Sequence, residues 1–336
     1  MGATVLLAVF GLAGISSSVA QASPPPAPAW TKQAPAAHPP ARSAAAMAYD
    51  PATGTAVLFG GQGSFGAPLG DTWTWNGTTW TQRHPATSPP ARWDAMMAYD
   101  AATNQVVLFG GIATGNGDFR DTWTWNGSTW TQQHPATSPA ADWTGAMTYD
   151  AATGTVVLFG GTSGTSTETF QGVTWTWNGT NWVKKKPATS PPARYGETLT
   201  YDAATGTVVL FGGYGPTAAA GDTAFSDTWT WNGTTWAQRH PATHPAARYS
   251  ASAAYDAAAG NVVLFGGYGA KADTPPLADT WTWNGITWAK QATAAHPAGR
   301  EGATMAYDAA AGNVMLFAGS GAKGYTEPLS DTWIWG

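Results

Sequence analysis

Two hydrophobic patterns recur along the chain, and both predict β-strands. In the segment 71–76, DTWTWN, tryptophan alternates with threonine, so Trp73 and Trp75 share one face of an extended strand. The segment 155–161, TVVLFGG, is apolar without alternation, which is typical of a strand buried on both faces. Short turns rich in Gly, Asn and Asp separate these segments. The pattern therefore predicts an all-β protein.

The strand pattern occurs six times. The dipeptide Tyr-Asp marks each copy and stands at 49–50, 99–100, 149–150, 201–202, 255–256 and 307–308. Each copy holds four predicted strands, of which the first ends at Tyr-Asp and the second is the uniformly apolar one. The third is the tryptophan–threonine strand, and the fourth begins at a further tryptophan. A period near 50 residues with four strands per unit is typical of a β-propeller blade.

An Asn-Gly dipeptide follows the third strand and predicts a two-residue type I′ turn. With the dipeptide 76–77 at the centre of that turn, Trp73 would lie opposite Trp80, and Trp75 would lie opposite Thr78. The three tryptophans of each copy would then share one face of a hairpin.

The tryptophan count predicts the number of blades. Eighteen of the 20 tryptophans form six triplets if Trp30 joins Trp333 and Trp335. We therefore predict a six-bladed β-propeller over residues 30–336, with four antiparallel strands per blade. An N-terminal strand around Trp30 would complete the last blade and close the ring, which leaves only short edges.

The Gly-Gly after the second strand and the spaced aromatic pair before the connector resemble kelch repeats. The resemblance covers residues 30–336 and implies the galactose oxidase/kelch superfamily of propellers. Copper radical oxidation in that superfamily needs a Tyr–Cys crosslink. The chain contains no cysteine, so this activity is excluded.

Composition narrows the remaining classes of function. The net charge of −5 argues against a nucleic-acid partner. The absence of cysteine removes disulfides and thiolate metal sites. All six histidines precede proline in a repeated connector, which indicates a structural role. We predict no metal and no cofactor.

The N-terminal residues predict export. Residues 3–15 are apolar but too few to span a bilayer, which takes about 20 residues, and small residues follow at Ala20 and Ala22. We predict a cleaved signal peptide over 1–22, atypical in lacking a basic start, and a Pro-rich linker over 23–29. The protein would then be extracellular or at the cell surface, with no membrane span.

The first residue of each innermost strand should face the channel mouth, on the face that carries the long, variable loops. This predicted ring consists of Arg42, Arg92, Asp142, Arg194, Arg248 and Arg300. The kelch resemblance implies that arginines at this position contact acidic peptides. Alternatively, they brace the connectors through backbone carbonyls. We assign the aspartates of the Asp-Thr-Trp strings to strand caps.

The next position is aromatic in four consecutive repeats, with Trp93, Trp143, Tyr195 and Tyr249. Such rings near a channel mouth suit stacking on a sugar or a peptide, and inter-blade packing is the alternative. These aromatic residues and the ring residues are the predicted ligand contacts.

Three acids that depart from the repeat pattern lie near the same position: Asp94, Glu197 and Glu301. Glu197 replaces the Ala or Gly of the other copies, and pairing with Arg194 would satisfy it structurally. Two carboxylates at a channel mouth are also what a propeller glycosidase needs.

Together these features predict a monomeric binding module for a protein segment or a glycan. A carbohydrate-active enzyme, with the three acids as weak catalytic candidates, is the first alternative. A structural surface module is the second.

Overall fold

The computed structural model describes Gly2 and residues 28–113, 117–140, 143–163, 169–217, 221–270 and 274–336. Six antiparallel four-stranded sheets form the blades of a propeller, and in each blade the strands are hydrogen-bonded in the order 1-2-3-4. This confirms the predicted six-bladed fold. The predicted signal peptide and most of the linker lie outside the described residues, with only Gly2, Pro28 and Ala29 inside them.

The strands of blades one to six have these bounds. Strand 1, nearest the central channel, is Ala46–Asp50, Met96–Asp100, Ala146–Asp150, Thr198–Asp202, Ser252–Asp256 and Thr304–Asp308. Strand 2 is Thr55–Gln62, Gln105–Phe109, Thr155–Phe159, Thr207–Phe211, Asn261–Phe265 and Asn313–Phe317. Strand 3 is Pro68–Trp75, Thr122–Trp125, Thr174–Trp177, Thr228–Trp231, Thr280–Trp283 and Thr332–Trp335. Strand 4 is Trp80–Arg83, Trp130–Gln133, Trp182–Lys184, Trp236–Arg239, Trp288–Gln291 and Trp30–Gln33.

The sixth blade takes its outermost strand from the N-terminal part of the chain, as the tryptophan count predicts. Trp30 lies opposite Trp335, and Gln33 lies opposite Thr332. The indole of Trp30 is 2% exposed and donates to Thr280 Oγ1 of the fifth blade at 2.8 Å. The ring is therefore closed by both backbone pairing and inter-blade contacts.

The predicted hairpin register is wrong. Trp75 lies opposite Trp80, and Trp73 lies opposite Gln82. Four residues, 76–79, form the loop, because Asn76 Oδ1 accepts from the amides of the third and fourth loop residues at 3.1 and 2.8 Å. An asparagine that bonds the backbone two and three residues ahead stabilises this wider turn instead of type I′.

The core lies between neighbouring blades. Strand 2 is buried on both faces, as its uniform apolar sequence predicts, and Val57 and Leu58 are completely buried. The first tryptophan of strand 4 packs on the preceding blade: Trp80 lies 4.8 Å from Phe317 between ring centroids and donates to Thr332 Oγ1. This hydrogen bond recurs at all six blade interfaces.

Further elements lie in the segments between strands 2 and 3, which we call the 2–3 loops. They are three ribbons, Ile112–Ala113 with Gly117–Asp118, Thr162–Ser163 with Thr169–Phe170, and Tyr214–Thr217 with Gly221–Ala224, and the 3₁₀ turns Ser64–Gly66 and Gly324–Thr326. In a fourth ribbon, Tyr268–Gly269 of a 2–3 loop pairs with Arg248–Tyr249, which precedes strand 1 of the same blade. Within the described residues, no helix has the length and apolar character needed to cross a membrane.

Candidate functional site

A ring of backbone hydrogen bonds encircles one end of the central channel. Its members are the residues two positions before the start of each of the six innermost strands: Ala44, Asp94, Thr144, Gly196, Ser250 and Gly302. Each amide donates to the carbonyl of the counterpart in the preceding blade at 2.7–3.2 Å, so the six bonds form a closed circle, which we call the collar. All six residues have φ between 52° and 65°. Four of them carry a side chain in this left-handed region, which costs of the order of 1 kcal/mol each and persists only where surrounding structure imposes it.

All six collar residues line a cavity of about 510 Å³. Gln62, at the end of strand 2 in the first blade, and Tyr268, in the 2–3 loop of the fifth, contribute to the same wall. The cavity therefore opens on the face of the propeller that carries the 2–3 loops, which we call the loop face.

The structure brings all four predicted aromatic residues into this cavity. Trp93, Trp143, Tyr195 and Tyr249 each line it and are partly exposed. Their backbones form antiparallel bridges with the residue that follows Gly-Gly in the same blade, for example Tyr195 with Tyr214. This bridge holds each aromatic residue against the base of its 2–3 loop.

Aromatic residues from the 2–3 loops pack against these side chains, and Tyr268 among them also lines the cavity. Tyr214 lies 5.7 Å from Tyr195 and 5.2 Å from Tyr249, and Tyr268 lies 5.7 Å from Tyr249, between ring centroids. Phe170 stacks on Tyr195 at 5.8 Å. These three aromatic residues are not among those predicted from the sequence. Tyr214 and Tyr268 could have been predicted, since each directly follows a Gly-Gly pair. The residue after Gly-Gly forms a backbone bridge with the predicted aromatic residue of the same blade.

All three predicted acids also line the cavity. Glu197 is 5% exposed, and no hydrogen bond with good geometry reaches either of its carboxylate oxygens from the described part of the chain. Burial raises the pKa of Glu197 to about 8, because the nearby amides and the charge of Arg194 offset the desolvation only in part. Burial likewise raises the pKa of Asp94 to about 7.

Glu301 occupies the position that is aromatic in blades two to five. It is 3% exposed and lies close enough to Tyr249 and Tyr268 for its charge to act on both phenols. Burial, and then the negative charge of Glu301, raise the pKa of both tyrosines.

The described arginines of the predicted ring are buried ion-pair partners. In the first blade, Nη1 and Nη2 of Arg42 donate to the two carboxylate oxygens of Asp71 at 2.7 and 2.8 Å. Nη1 also donates to the carbonyl of Gly60, and Nε donates to that of Pro40. The same bidentate pair recurs as Arg92–Asp121, Arg194–Asp227, Arg248–Asp279 and Arg300–Asp331.

These five arginine side chains are only 0–1% exposed, so we do not carry them into the candidate site. Their hydrogen bonds to backbone carbonyls agree with the alternative in which the arginines brace the connectors. Asp142, the sixth residue of the predicted ring, lies outside the described residues. Assigning the partner aspartates to strand caps missed this role. Burial alone would raise the pKa of Asp71, but the hydrogen bonds and charge of Arg42 lower it.

The sequence comparison agrees with this architecture. Residues 146–335 match the family model of the KLHDC2/KLHL20/DRC7 Kelch-repeats domain. The chain belongs to this kelch-repeat family. The predicted resemblance is thus confirmed.

Two further comparisons bear on this kelch chain. None of the curated proteins matches it. Among solved structures, one titled "Structure of YjhT" aligns with a TM-score of 0.67 and 14% identity, covering 88% of this chain and 95% of its own. At that identity the likeness supports the fold alone.

The third blade of this kelch propeller departs from the others at both ion-pair positions. Asp142 stands where the other blades have arginine, and Val173 stands where they have aspartate. Replacing one partner alone would leave a buried charge uncompensated. Aligning the repeats shows that the arginine and the aspartate are replaced together in the third blade, which indicates from the sequence that the two residues form an ion pair in the other blades.

Glu197 should make the stability of the propeller depend on pH. Its pKa is about 8 in the folded protein and 4.5 without the fold, so its neutral form is favoured by folding. The associated stability is complete below about pH 4.5 and is lost as the pH rises through about 8. Relative to Glu197→Gln, the wild type should lose about 2–4 kcal/mol of unfolding free energy between about pH 5 and about pH 9.

Urea denaturation of both proteins across this pH range measures the effect. Glu327→Gln, at an exposed acid of a 2–3 loop, is the matched control and should follow the wild type. Parallel stability profiles for the wild type and Glu197→Gln would contradict the prediction.

Proposed function

We propose that this chain is an exported kelch propeller that binds a ligand through the cavity inside the collar. The ligand would be a protein segment or a glycan. The observation that carries the proposal is the cavity wall, in which four consecutive blades each contribute an aromatic side chain at the same repeat position.

The shape of the cavity supports a binding role. Its volume of about 510 Å³ lies in the range of about 300–1,000 Å³ that is usual for ligand pockets. Aromatic faces with a few polar groups among them bind planar or amphipathic groups with little loss of side-chain entropy. The collar adds rigidity, because each blade is tied to the next by a backbone hydrogen bond at the cavity wall.

Export is supported by the N-terminal sequence, with its short apolar run followed by small residues. A binding propeller at the cell surface would present its loop face to other molecules. We propose that it acts as a monomer, since the ring is closed within one chain.

The test is a binding screen of the mature chain on glycan and peptide arrays, followed by titration of the hits. Trp93→Ala should weaken binding by at least about tenfold, because an aromatic contact in a desolvated site is worth upwards of about 1 kcal/mol. Phe65→Ala is the matched control, since Phe65 is 89% exposed on the loop face and does not line the cavity. Equal loss in both variants, or none in Trp93→Ala, would contradict the site assignment.

A carbohydrate-active enzyme is the second candidate, and one observation favours it. Asp94 and Glu197, with pKa values of about 7 and 8, can hold a proton near neutral pH and donate it to a leaving group. Turnover of chromogenic glycosides that disappears in Glu197→Gln would favour this role. A mature chain that neither binds nor turns over any member of the panels would instead be a structural module.

A further inference from the structure

A second cavity lies at the end of the central channel opposite the collar. Residues of all six innermost strands line it, together with Pro51 and Ala309 of the turns between strands 1 and 2. It therefore opens on the face that carries these turns, and we call it the turn-face cavity. Its volume of about 360 Å³ lies within the range of about 300–1,000 Å³ that is usual for ligand pockets.

Six tyrosines line the turn-face cavity near its mouth, since each stands at the fourth of the five positions of an innermost strand. They are Tyr49, Tyr99, Tyr149, Tyr201, Tyr255 and Tyr307, and all are partly exposed. Neighbouring turns hold the phenol oxygens where hydrogen bonds are seen. Tyr49 accepts from the amide of Ala310 at 3.1 Å, and Tyr99 donates to Asn104 Oδ1 at 3.1 Å. The cavity thus has an aromatic wall that is fixed in place.

The wall of the turn-face cavity is uncharged. Its described lining residues include no aspartate, glutamate, lysine, arginine or histidine. Burial raises the pKa of all six tyrosines, and the charges of the aspartates that end the innermost strands raise it further, so the phenols are neutral at neutral pH. A charged ligand would lose hydration without gaining an ion-pair partner in this wall. The cavity therefore favours an uncharged ligand.

One position of the wall departs from the repeat and leaves space. The second residue of strand 1 is Ala253 in the fifth blade, where it is partly exposed. The other five blades carry a long, buried apolar side chain there: Met47, Met97, Met147, Leu199 and Met305. The cavity is consequently widest beside the fifth blade.

A buried hydroxyl without a partner lies in the adjoining blade. Thr200 lines the turn-face cavity and is 7% exposed, and its Oγ1 has no hydrogen-bond partner in the described part of the chain. Four of the five equivalent residues are alanine, so the repeat itself does not require a hydroxyl here. Strand 1 of this blade packs directly on the strand that carries Ala253. Because buried hydroxyls are normally satisfied, Thr200 indicates a ligand with a hydrogen-bonding group.

We propose that the turn-face cavity is a second binding site, for a small uncharged molecule that combines an apolar ring with one hydroxyl group. The ring would pack on the tyrosine and methionine side chains, both of which make favourable contacts with aromatic groups. The hydroxyl would reach Thr200 through the space beside Ala253. This site is independent of the proposed function, because it shares no described lining residue with the cavity inside the collar.

Benzyl alcohol is the probe, and methionine methyl groups report where it binds. In NMR spectra of the full chain with methyl-labelled methionine, the bound ring should shift signals among the four methionines that line the turn-face cavity. Met96 and Met315, which are not among its described lining residues, are internal controls and should not shift. We expect saturable binding with a Kd of about 1 mM or tighter. Equal shifts of the control methionines, or no saturable shift, would overturn the inference.

Thr200→Val tests the hydroxyl contact with little change of shape. It should weaken the binding of benzyl alcohol by at least about fivefold and leave the affinity for toluene, which has no hydroxyl, unchanged. Thr198→Val is the matched control, since Thr198 is buried in the same strand and is not among the described lining residues. It should bind both probes as the wild type does. Equal losses for the two probes in Thr200→Val, or no loss, would overturn the inference.

Ala253→Met tests the space in the wall. This substitution gives the fifth blade the residue that four other blades carry, so the fold should be kept. It should abolish the binding of both probes, because the longer side chain fills the widest part of the cavity. Undiminished binding in the folded variant would overturn the inference.

Other probes test the ligand class and separate the two proposals. Tighter binding of benzylammonium or benzoate than of benzyl alcohol would overturn the uncharged class. Tighter binding of N-acetyltyrosine amide than of p-cresol would overturn the assignment to a free small molecule. Trp93→Ala, at the other end of the channel, should leave the affinity for benzyl alcohol unchanged, and a loss there would overturn the placement of the site.

Discussion

Replacing Arg92 with methionine should destabilise the propeller by about 3–5 kcal/mol of unfolding free energy. The substitution leaves the carboxylate of Asp121 without its bidentate partner, although the indole of Trp123 still donates to it at 2.7 Å. It also removes the donor to the carbonyl of Gly110 and the stacking of the guanidinium on Phe119, 3.8 Å away. Urea denaturation measures the loss.

The matched control removes both members of the pair, as in the third blade, which carries neither of them. In the double variant Arg92→Met/Asp121→Val, no buried carboxylate remains uncompensated. The double variant should therefore be more stable than Arg92→Met alone, with a coupling energy of about 1.5–3 kcal/mol in the double-mutant cycle. Strictly additive effects would show that the pair does not act as a unit.

Replacing Trp30 with alanine should weaken the closure of the ring by about 3–5 kcal/mol. The indole is buried between the last two blades, 5.5 Å from both Phe265 and Trp335, and donates to Thr280. No turn joins the strand Trp30–Gln33 to strand 3 of the same blade. The pairing of these two strands therefore depends on the contacts of Trp30 and on four residue pairs. Urea denaturation measures the total loss, and amide hydrogen exchange over the segment 30–33 measures local opening.

Trp80→Ala is the control for closure, because Trp80 makes equivalent contacts with Phe317, Trp75 and Thr332. Its strand remains tethered by the loop 76–79. We expect a similar cavity cost but slower exchange in its strand than in the segment 30–33 of Trp30→Ala. Equal exchange in the two strands would mean that the tether contributes nothing to closure.

Most of the fold could be predicted because a propeller repeats a local pattern. Strand 2 is identified by its uniform apolar run, and closure through Trp30 follows from the number of tryptophans per blade. The hairpin register could not be predicted from Asn-Gly alone. The side chain of Asn76 competes with the type I′ turn by bonding the amides of Thr78 and Thr79, and that competition is decided by geometry.

The candidate site was predicted in part. Alternation and repeat position placed Trp93, Trp143, Tyr195 and Tyr249 at the mouth of the channel, where they line the cavity. The arginines of the same motif were expected at the mouth too, yet they are buried. The face of the chain on which a side chain lies is a local property. The aspartate that pairs with each buried arginine, however, lies 29–33 residues away in the sequence.

The sequence by itself determined the six blades, their four strands, and the closure by an N-terminal strand, since these depend on period, alternation and residue count. Only the tertiary structure decided which charges are satisfied. It paired each described arginine of the motif with an aspartate of its own blade, and it placed Asp94, Glu197 and Glu301 in the wall of one cavity. The reason is that electrostatic balance depends on distances between residues far apart in the chain, which a repeat pattern does not contain.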